Sequence, residues 1–383
     1  MSAPPHRPLP LLPHNGGRSA TVCHYRCGDA CAQPVPNTSD NEYLGDVIAY
    51  SLSRRALLAG AAGAIGLGAA AALVVKPAPA ATAAGPNAAG VSGLGFAAIA
   101  PVPATVDAVT VPAGFTWSSL ISWGDPILRG APGFDFEKQT AKAQAMQFGY
   151  NNDFTALIAE SSRDGVLICN HEYTNESLMF RGWVNDAAAS VEQLRTSMAA
   201  HGLSVVEVSR RNVSQPWKYD PQGRKNRRIT AHTPFKVTGP AAGSSYLKTT
   251  ADPKATKVLG TLNNCSGSVT PWGTILSGEE NFNQYFRVTA APTNAETAAG
   301  YQRYGIATGG GRDWYRADNR FDTAVEPNEP HRFGWVVEID PDDPASTPRK
   351  HTALGRFKHE AATIRIAHDG RAVAYLGDDE RFD

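Results

Sequence analysis

The sequence predicts a mainly β protein, a β-propeller with helical insertions, and three observations support this fold class. Glycine and proline are abundant, with 36 and 27 among 383 residues, and this composition favours turns over long helices. Short apolar runs bounded by turn residues follow one another from about residue 100 onward. A unit of turn, apolar strand and acid cluster also recurs along the chain, and such repetition is typical of propellers.

The first 84 residues are predicted to direct export rather than to fold. Residues 1–52 form a long, proline-rich leader that we expect to be disordered. Residues 53–84 place Arg54 and Arg55 before a weakly hydrophobic Gly/Ala-rich run and small residues suited to cleavage. A membrane anchor is the alternative, but glycine and alanine make this run a poor one. These features indicate a twin-arginine signal, so the mature protein is expected over residues 85–383 without a stable membrane span.

Charge and cysteine content limit the possible partners. The formal net charge is zero, from 36 basic and 36 acidic residues, so no overall positive field is present to bind nucleic acid. Cys23, Cys27 and Cys31 are spaced as metal ligands can be, although a fourth ligand at the usual zinc spacing is missing. Cys169 and Cys265 lie in strand-like runs, and we interpret both as buried thiols.

Strands and two helices account for the rest of the chain. The predicted helices cover 136–147 and 186–202, the second with an apolar stripe and with Gly202 as its C-terminal cap. Apolar runs between turn residues predict strands within 165–173, 203–210, 227–239, 273–281, 334–344 and 372–380.

The repeated unit places acids at the ends of three apolar strands. It occurs at 164–175, 270–281 and 369–380, at intervals of about 100 residues, which is the length of two propeller blades. If each strand is the innermost of its blade, all three strand ends deliver carboxylates to one central channel. The alternative is three unrelated strand ends with solvated acids, because aspartate is common in turns.

Carboxylates gathered in one place repel one another, and bound cations relieve that repulsion. Calcium takes roughly six to eight oxygen ligands. The chain contains neither an EF-hand loop nor an H-E-x-x-H motif, so a composite site is expected. The oxygen ligands available at the three strand ends are Asn170, Glu172, Glu279, Glu280, Asn281, Asp378 and Asp379.

A second charged stretch, residues 354–364, crowds three cationic side chains against one acid. These residues are Arg356, Lys358, His359 and Glu360. Beside a metal cluster, such cations would stabilise a doubly charged oxyanion such as phosphate. The alternative is a solvated charged turn, which is the simpler interpretation when the stretch is considered alone.

Several motifs, taken in order, resemble the PhoX family of bacterial alkaline phosphatases. They are SRRALL, FGYNNDF, NHEYTN, NNCSGSVTPWGTILSGEENF, GRFKHE and YLGDDERFD. The resemblance covers the whole chain and implies a six-bladed β-propeller, which we expect to be incomplete at the C-terminus here. It also implies phosphomonoester hydrolysis by a cluster of calcium and iron ions, after twin-arginine export to the periplasm, the cell surface or the medium.

The resemblance further implies roles for individual residues. Glu172, Glu279 or Glu280, and Glu360 are the implied metal ligands. Lys358 and Glu360 are the implied catalytic residues, with Lys358 in contact with phosphate. Asp378 and Asp379 match a characteristic acidic pair and are included as ligands.

A cysteine is part of the family's iron site, and we expect it near residues 148–154. That segment contains Asn152 and Asp153 but no cysteine. One of these two residues is therefore expected to replace the thiolate. Oxygen ligands favour harder ions, so calcium is a firmer expectation than iron.

The leading hypothesis is an exported, monomeric, metal-dependent phosphomonoesterase. One alternative is a calcium-dependent lactonase or phosphodiesterase on a propeller, because function lies in the site rather than in the fold. The other is a non-catalytic binding propeller whose metals are purely structural. A substrate panel separates the enzymes from one another, and elemental analysis tests the non-catalytic alternative.

Overall fold

The computed structural model describes residues 97–380, except residue 293 and residues 308–310. The chain divides after Gly114 into two units. Residues 97–114, the described part of the first unit, are irregular and mostly exposed. The second unit, Phe115–Arg381, contains the described helices and strands. The leader, the signal with Arg54 and Arg55, and the cysteines Cys23, Cys27 and Cys31 lie outside the described residues.

The second unit is mainly β, which confirms the predicted class. Its described strands are β1 (Asn152–Ala159), β2 (Asp164–His171), β3 (Gly202–Ser209), β4 (Lys218–Tyr219), β5 (Arg227–Ile229), β6 (Pro234–Thr238), β7 (Lys257–Leu259), β8 (Asn264–Val269), β9 (Ile275–Glu279), β10 (Val336–Ile339), β11 (Arg349–His351), β12 (His359–Ile366) and β13 (Ala372–Asp378).

These strands form three sheets in the described part of the chain. The first has the order β1-β2-β3-β4, with β5 also paired to β3. The second has the order β7-β6-β11-β10-β9-β8, and the third is the hairpin β12-β13. Pairing is antiparallel except between β6 and β11. None of these described sheets closes on itself, so propeller blades are not resolved by the strand pairing.

Helices are short and lie between the strands. The described α-helices are α1 (Ala141–Gln144), α2 (Glu176–Met179), α3 (Val191–Ala200) and α4 (Ala295–Arg303). The 3-10 helices are Asp186–Ala188, Ser245–Leu247, Phe282–Tyr285, Asp313–Arg316, Asn319–Phe321, Glu329–Arg332 and Thr352–Leu354. The helix predicted over 136–147 is therefore a single turn, α1.

Gly202 begins strand β3 rather than capping the preceding helix, whose C-cap is His201. Its φ of +98° is accessible mainly to glycine. A Cβ atom there would lie 2.0 Å from the Ile229 carbonyl oxygen of the neighbouring strand. The glycine thus permits a close contact between strands. Its presence was therefore not a sign of a helix C-cap, as the sequence had predicted.

In the described part of the chain, the largest apolar cluster joins the segment between β9 and β10 to parts of α3, β6 and β7 and to the loops around them. Its fully buried side chains include Phe282, Tyr285, Trp314, Phe321 and Phe333. Aromatic contacts join them, such as the 4.5 Å between the ring centroids of Tyr285 and Trp314. Phe282 and Tyr285 follow Glu280 closely in the chain, so this core anchors the segment after β9.

Among the described residues, no helix combines the length and the apolar character that a bilayer-spanning helix requires.

Candidate functional site

Three hairpins of the same design, β1-β2, β8-β9 and β12-β13, meet at the candidate site. In each hairpin, the backbone N–H of the residue just after the second strand donates to the carbonyl of the residue just before the first strand. These bonds run from Glu172 N to Asn151 O at 3.1 Å, from Glu280 N to Asn263 O at 3.0 Å, and from Asp379 N to Lys358 O at 3.0 Å. The second strands are those of the three predicted turn-strand-acid units.

Strand register is equivalent in the three hairpins as well. The residue pairs beside these bonds are Asn152 with His171, Asn264 with Glu279, and His359 with Asp378. A shift in register follows each pair, and such bulges redirect the adjacent side chain. Each hairpin consequently offers two candidate ligands, one near the start of its first strand and one just after its second: Asp153 and Glu172, Cys265 and Glu280, and Glu360 and Asp379.

The ligand atoms of these hairpins converge. They form two groups, Asp153 with Glu172 and Cys265, and Cys265 with Glu280 and Glu360, and within each group the ligand atoms lie within 4.8 Å of one another. Cys265 belongs to both groups, and its Sγ lies 3.3 Å from Glu360 Oε2. Asp379 hydrogen-bonds with Glu280 and so lies beside the second group.

Close approach of the third hairpin depends on Gly278 in β9. A Cβ atom at this position would lie 2.3 Å from the His359 carbonyl oxygen. Any other residue would therefore push β12 away from β9 and would separate Glu360 from Cys265.

The assembled acids perturb one another strongly. Burial, followed by the charge of Asp153, raises the pKa of Glu172 to about 7. Burial, followed by a hydrogen bond with Asp379, raises the pKa of Glu280 to about 8. Burial and the neighbouring Glu280 also raise the pKa of the Cys265 thiol. Among the described residues, nearby positive charge is therefore too small to keep Glu172 and Glu280 ionised at their usual pKa values.

This donor set fits bound metal ions. Carboxylate oxygens suit hard cations such as calcium, and a cysteine sulfur suits a softer transition metal. Because their pKa values are raised, these acids tend to keep their protons. A bound cation would displace those protons, so metal binding and deprotonation are linked.

We expect the stability of the chelated protein to fall as pH rises. Carboxyls with a folded-state pKa above the unfolded value stabilise the fold below the unfolded pKa, and this contribution disappears as pH passes through the folded pKa. For Glu172 and Glu280 the loss extends from about pH 4.5 to about pH 8. The melting temperature in EDTA should drop by several degrees across this range, and excess calcium should reverse the drop.

The double variant Glu172→Gln/Glu280→Gln is the control for that titration. It lacks both carboxyls, so its melting temperature in EDTA should depend less on pH than that of the unsubstituted protein. Equal pH dependence in the two proteins would contradict the assignment of the effect to these residues.

Glu279 does not reach the cluster, although the sequence left it as an alternative to Glu280. Strand residues alternate in direction, and Glu279 points into the interior, where it is fully buried. Its Oε1 accepts from Lys350 Nζ at 2.6 Å, and its Oε2 accepts from the backbone N–H groups of Gly334 and Trp335. This correction leaves Glu280 as the ligand candidate from β9.

Four other predicted site residues also lie outside the two ligand groups, and one of them, Asp379, lies beside the second group. Asn152 is exposed and is paired in register with His171. Asp378 accepts the Glu380 N–H through Oδ1 at 3.1 Å. The Lys358 ammonium forms an ion pair with Glu380. Of these residues, Lys358 is also linked to the site, because its backbone carbonyl accepts the Asp379 N–H.

Cys265 is the candidate ligand that sequence interpretation missed. It was assigned as a buried thiol without a site role, and a cysteine was instead expected near residues 148–154. The sequence did contain a signal for Cys265, because Asn263-Asn264-Cys265 resembles Asn151-Asn152-Asp153. Each of these segments begins a hairpin that is followed by a glutamate. Cys169, by contrast, lies in an apolar cluster, as its interpretation as a buried thiol anticipated.

Arg312 stabilises the segment that follows Glu172. Its Nη1 donates to Thr174 Oγ1 at 2.9 Å, and its Nη2 donates to the Thr174 carbonyl at 3.1 Å. The same guanidinium pairs with Glu176. This arrangement fixes the chain immediately after the first hairpin's glutamate.

Comparison with known proteins places the whole arrangement in a family. A family model described as alkaline phosphatase PhoX matches residues 94–383. A solved structure, Pseudomonas fluorescens PhoX in complex with vanadate, a transition state analogue, is similar over 71% of this chain, with 44% identity and a TM-score of 0.66. The match covers 47% of that protein, so the chain spans about half its length. No curated protein sequence gave a significant match. The chain belongs to the PhoX alkaline phosphatase family.

Proposed function

We propose that this protein is an exported, metal-dependent alkaline phosphatase that hydrolyses phosphomonoesters. The observation that carries the proposal is the pair of ligand groups that share Cys265, built from three hairpins distant in sequence. Family membership and the vanadate bound to the Pseudomonas protein support phosphoryl transfer as the reaction class.

The proposed cofactors are calcium and iron. Cys265 is the candidate thiolate ligand of an iron ion, and Asp153, Glu172, Glu280 and Glu360 offer oxygens to iron and calcium. When bound, such ions polarise phosphoryl oxygens and lower the pKa of water. The protein's contribution is to hold these ligands close together, which their mutual repulsion would otherwise oppose.

Lys358 and Asp379 have distinct proposed roles at the edge of the cluster. Asp379 keeps Glu280 in place through their hydrogen bond, and the Lys358 carbonyl holds the Asp379 backbone. The Lys358 ammonium is the proposed phosphate contact. Because it pairs with Glu380, a phosphate dianion would compete with Glu380 for this cation or share it.

We also propose that the described sheets form part of a β-propeller and that the protein leaves the cytoplasm by the twin-arginine route. The three equivalent hairpins support the first proposal, because a propeller brings equivalent strands of different blades to one axis. Arg54 and Arg55 support the second.

Activity should be tested on the full-length, metal-replete protein with p-nitrophenyl phosphate at alkaline pH. We expect turnover that falls about 100-fold or more in Glu360→Gln, because the variant loses a ligand carboxylate. Glu137→Gln is a suitable control, since Glu137 belongs to an exposed ion pair with Arg181. A panel with bis-p-nitrophenyl phosphate and a simple lactone distinguishes the alternatives. Absence of phosphomonoester turnover, or turnover unaffected by Glu360→Gln, would refute the proposed function.

A further inference from the structure

We propose that Asn263 is a positioning residue that fixes the distance between the first and second hairpins and so presets the metal cluster. The inference rests on the proposed metal-dependent function. Asn263 lies two residues before Cys265 and is 1% exposed. Its carbonyl oxygen, its Oδ1 and its Nδ2 each bond to a segment that carries or adjoins a candidate ligand.

The backbone conformation of Asn263 is the first indication of this role. Its φ is +50°, a left-handed conformation that asparagine tolerates better than other side-chain-bearing residues. In this conformation its carbonyl accepts the N–H of Glu280 at 3.0 Å. Asn151, with φ +51°, bonds Glu172 in the same way in the first hairpin.

Unlike the carbonyl, the side chain of Asn263 connects two hairpins. Its Oδ1 accepts the Asn281 N–H at 2.6 Å, and the Asn281 amide in turn donates to the Glu280 carboxylate. Its Nδ2 faces the first hairpin, 3.4 Å from the Glu172 carbonyl oxygen and 3.3 Å from the Tyr285 hydroxyl. One buried amide therefore joins the backbone of Glu172 to the loop that orients Glu280.

Preorganisation explains why this connection matters. Glu172 and Glu280 repel each other when deprotonated, and the strands that carry them belong to different sheets. Asn170 of β2 also bonds the second hairpin, through the Cys265 carbonyl and Ser277 Oγ, but the Asn263 amide is the link that reaches the Glu172 backbone and the loop after Glu280. Without it, these two loops can move apart, and metal binding would have to restore their spacing at a cost in affinity.

The test is a calorimetric titration of chelator-treated, full-length protein with calcium chloride. Asn263→Gly keeps a residue suited to positive φ but removes the amide, and we expect calcium to bind about tenfold more weakly. Ala255→Gly is the matched control, because Ala255 is also buried with positive φ, +55°, and lies in the apolar cluster. Its calcium affinity should stay within about twofold of the unsubstituted value.

Tyr285→Phe provides a second variant in case Asn263→Gly does not fold. It removes the hydroxyl that contacts Asn263 and Glu172, and we expect roughly fivefold weaker calcium binding. The inference is overturned if Asn263→Gly, or Tyr285→Phe where the former is unfolded, binds calcium as tightly as Ala255→Gly. It is also overturned if the unsubstituted protein binds no calcium. Phosphatase turnover, measured in parallel, reports separately on the proposed function.

Discussion

Replacing Cys265 by serine should remove iron from the purified protein and lower phosphatase activity by about 100-fold or more. The thiol belongs to both ligand groups, so its loss would alter two candidate ion sites at once. Serine preserves the shape of the side chain but not the soft sulfur that favours transition metals. The measurements are metal content by elemental analysis and turnover of p-nitrophenyl phosphate.

Cys169→Ser is the matched control for that experiment. Cys169 is also buried, but its Sγ faces Thr155 Oγ1 at 3.4 Å and packs among apolar residues away from the ligand groups. A polar substitution there should reduce stability by about 1–3 kcal/mol while leaving the metal content unchanged. If Cys265→Ser retained iron and activity, Cys265 would not be a ligand.

Replacing Lys350 by methionine should destabilise the protein by about 3–5 kcal/mol, because Glu279 would remain buried without its cation. Both side chains are fully buried and form an ion pair at 2.6 Å. Lys350 also lies 3.9 Å from the centre of the Phe333 ring. Burial lowers the pKa of Lys350 to about 8 despite the opposing effect of Glu279. Urea unfolding measures the change in free energy.

The double variant Glu279→Gln/Lys350→Met separates loss of pairing from loss of packing. With both charges removed, we expect part of the stability to return, because breaking a buried pair costs more than replacing it. Arg181→Met serves as an exposed comparison, since its pair with Glu137 is on the surface and should contribute less than about 1 kcal/mol. A Lys350→Met variant within 1 kcal/mol of the unsubstituted protein would contradict this account.

Local sequence patterns predicted the elements that build the site. Each turn-strand-acid unit has an apolar run bounded by turn residues, and β2, β9 and β13 follow these runs. The order of the strands within the sheets could not be predicted in this way, because β6 pairs with β11, which lies more than a hundred residues later in the chain. Such long-range pairing depends on packing of the whole domain rather than on local propensity.

The choice between neighbouring acids also required the structure. Glu279 and Glu280 are chemically identical and adjacent, and only the direction of β9 decides which faces the ligands. Cys265 was misassigned for a related reason, since a buried cysteine in a strand is usually a packing residue. Its position becomes informative only when Asp153 and Glu360 are brought beside it by other hairpins.

Anomalous diffraction from crystals of the metal-replete protein, recorded above and below the iron absorption edge, tests the central claim most directly. The account predicts an iron peak bonded to Cys265 Sγ, with further metal density between the carboxylates of Glu172, Glu280 and Glu360. Metal peaks remote from Cys265, or these three carboxylates without shared metal density in an active protein, would contradict it.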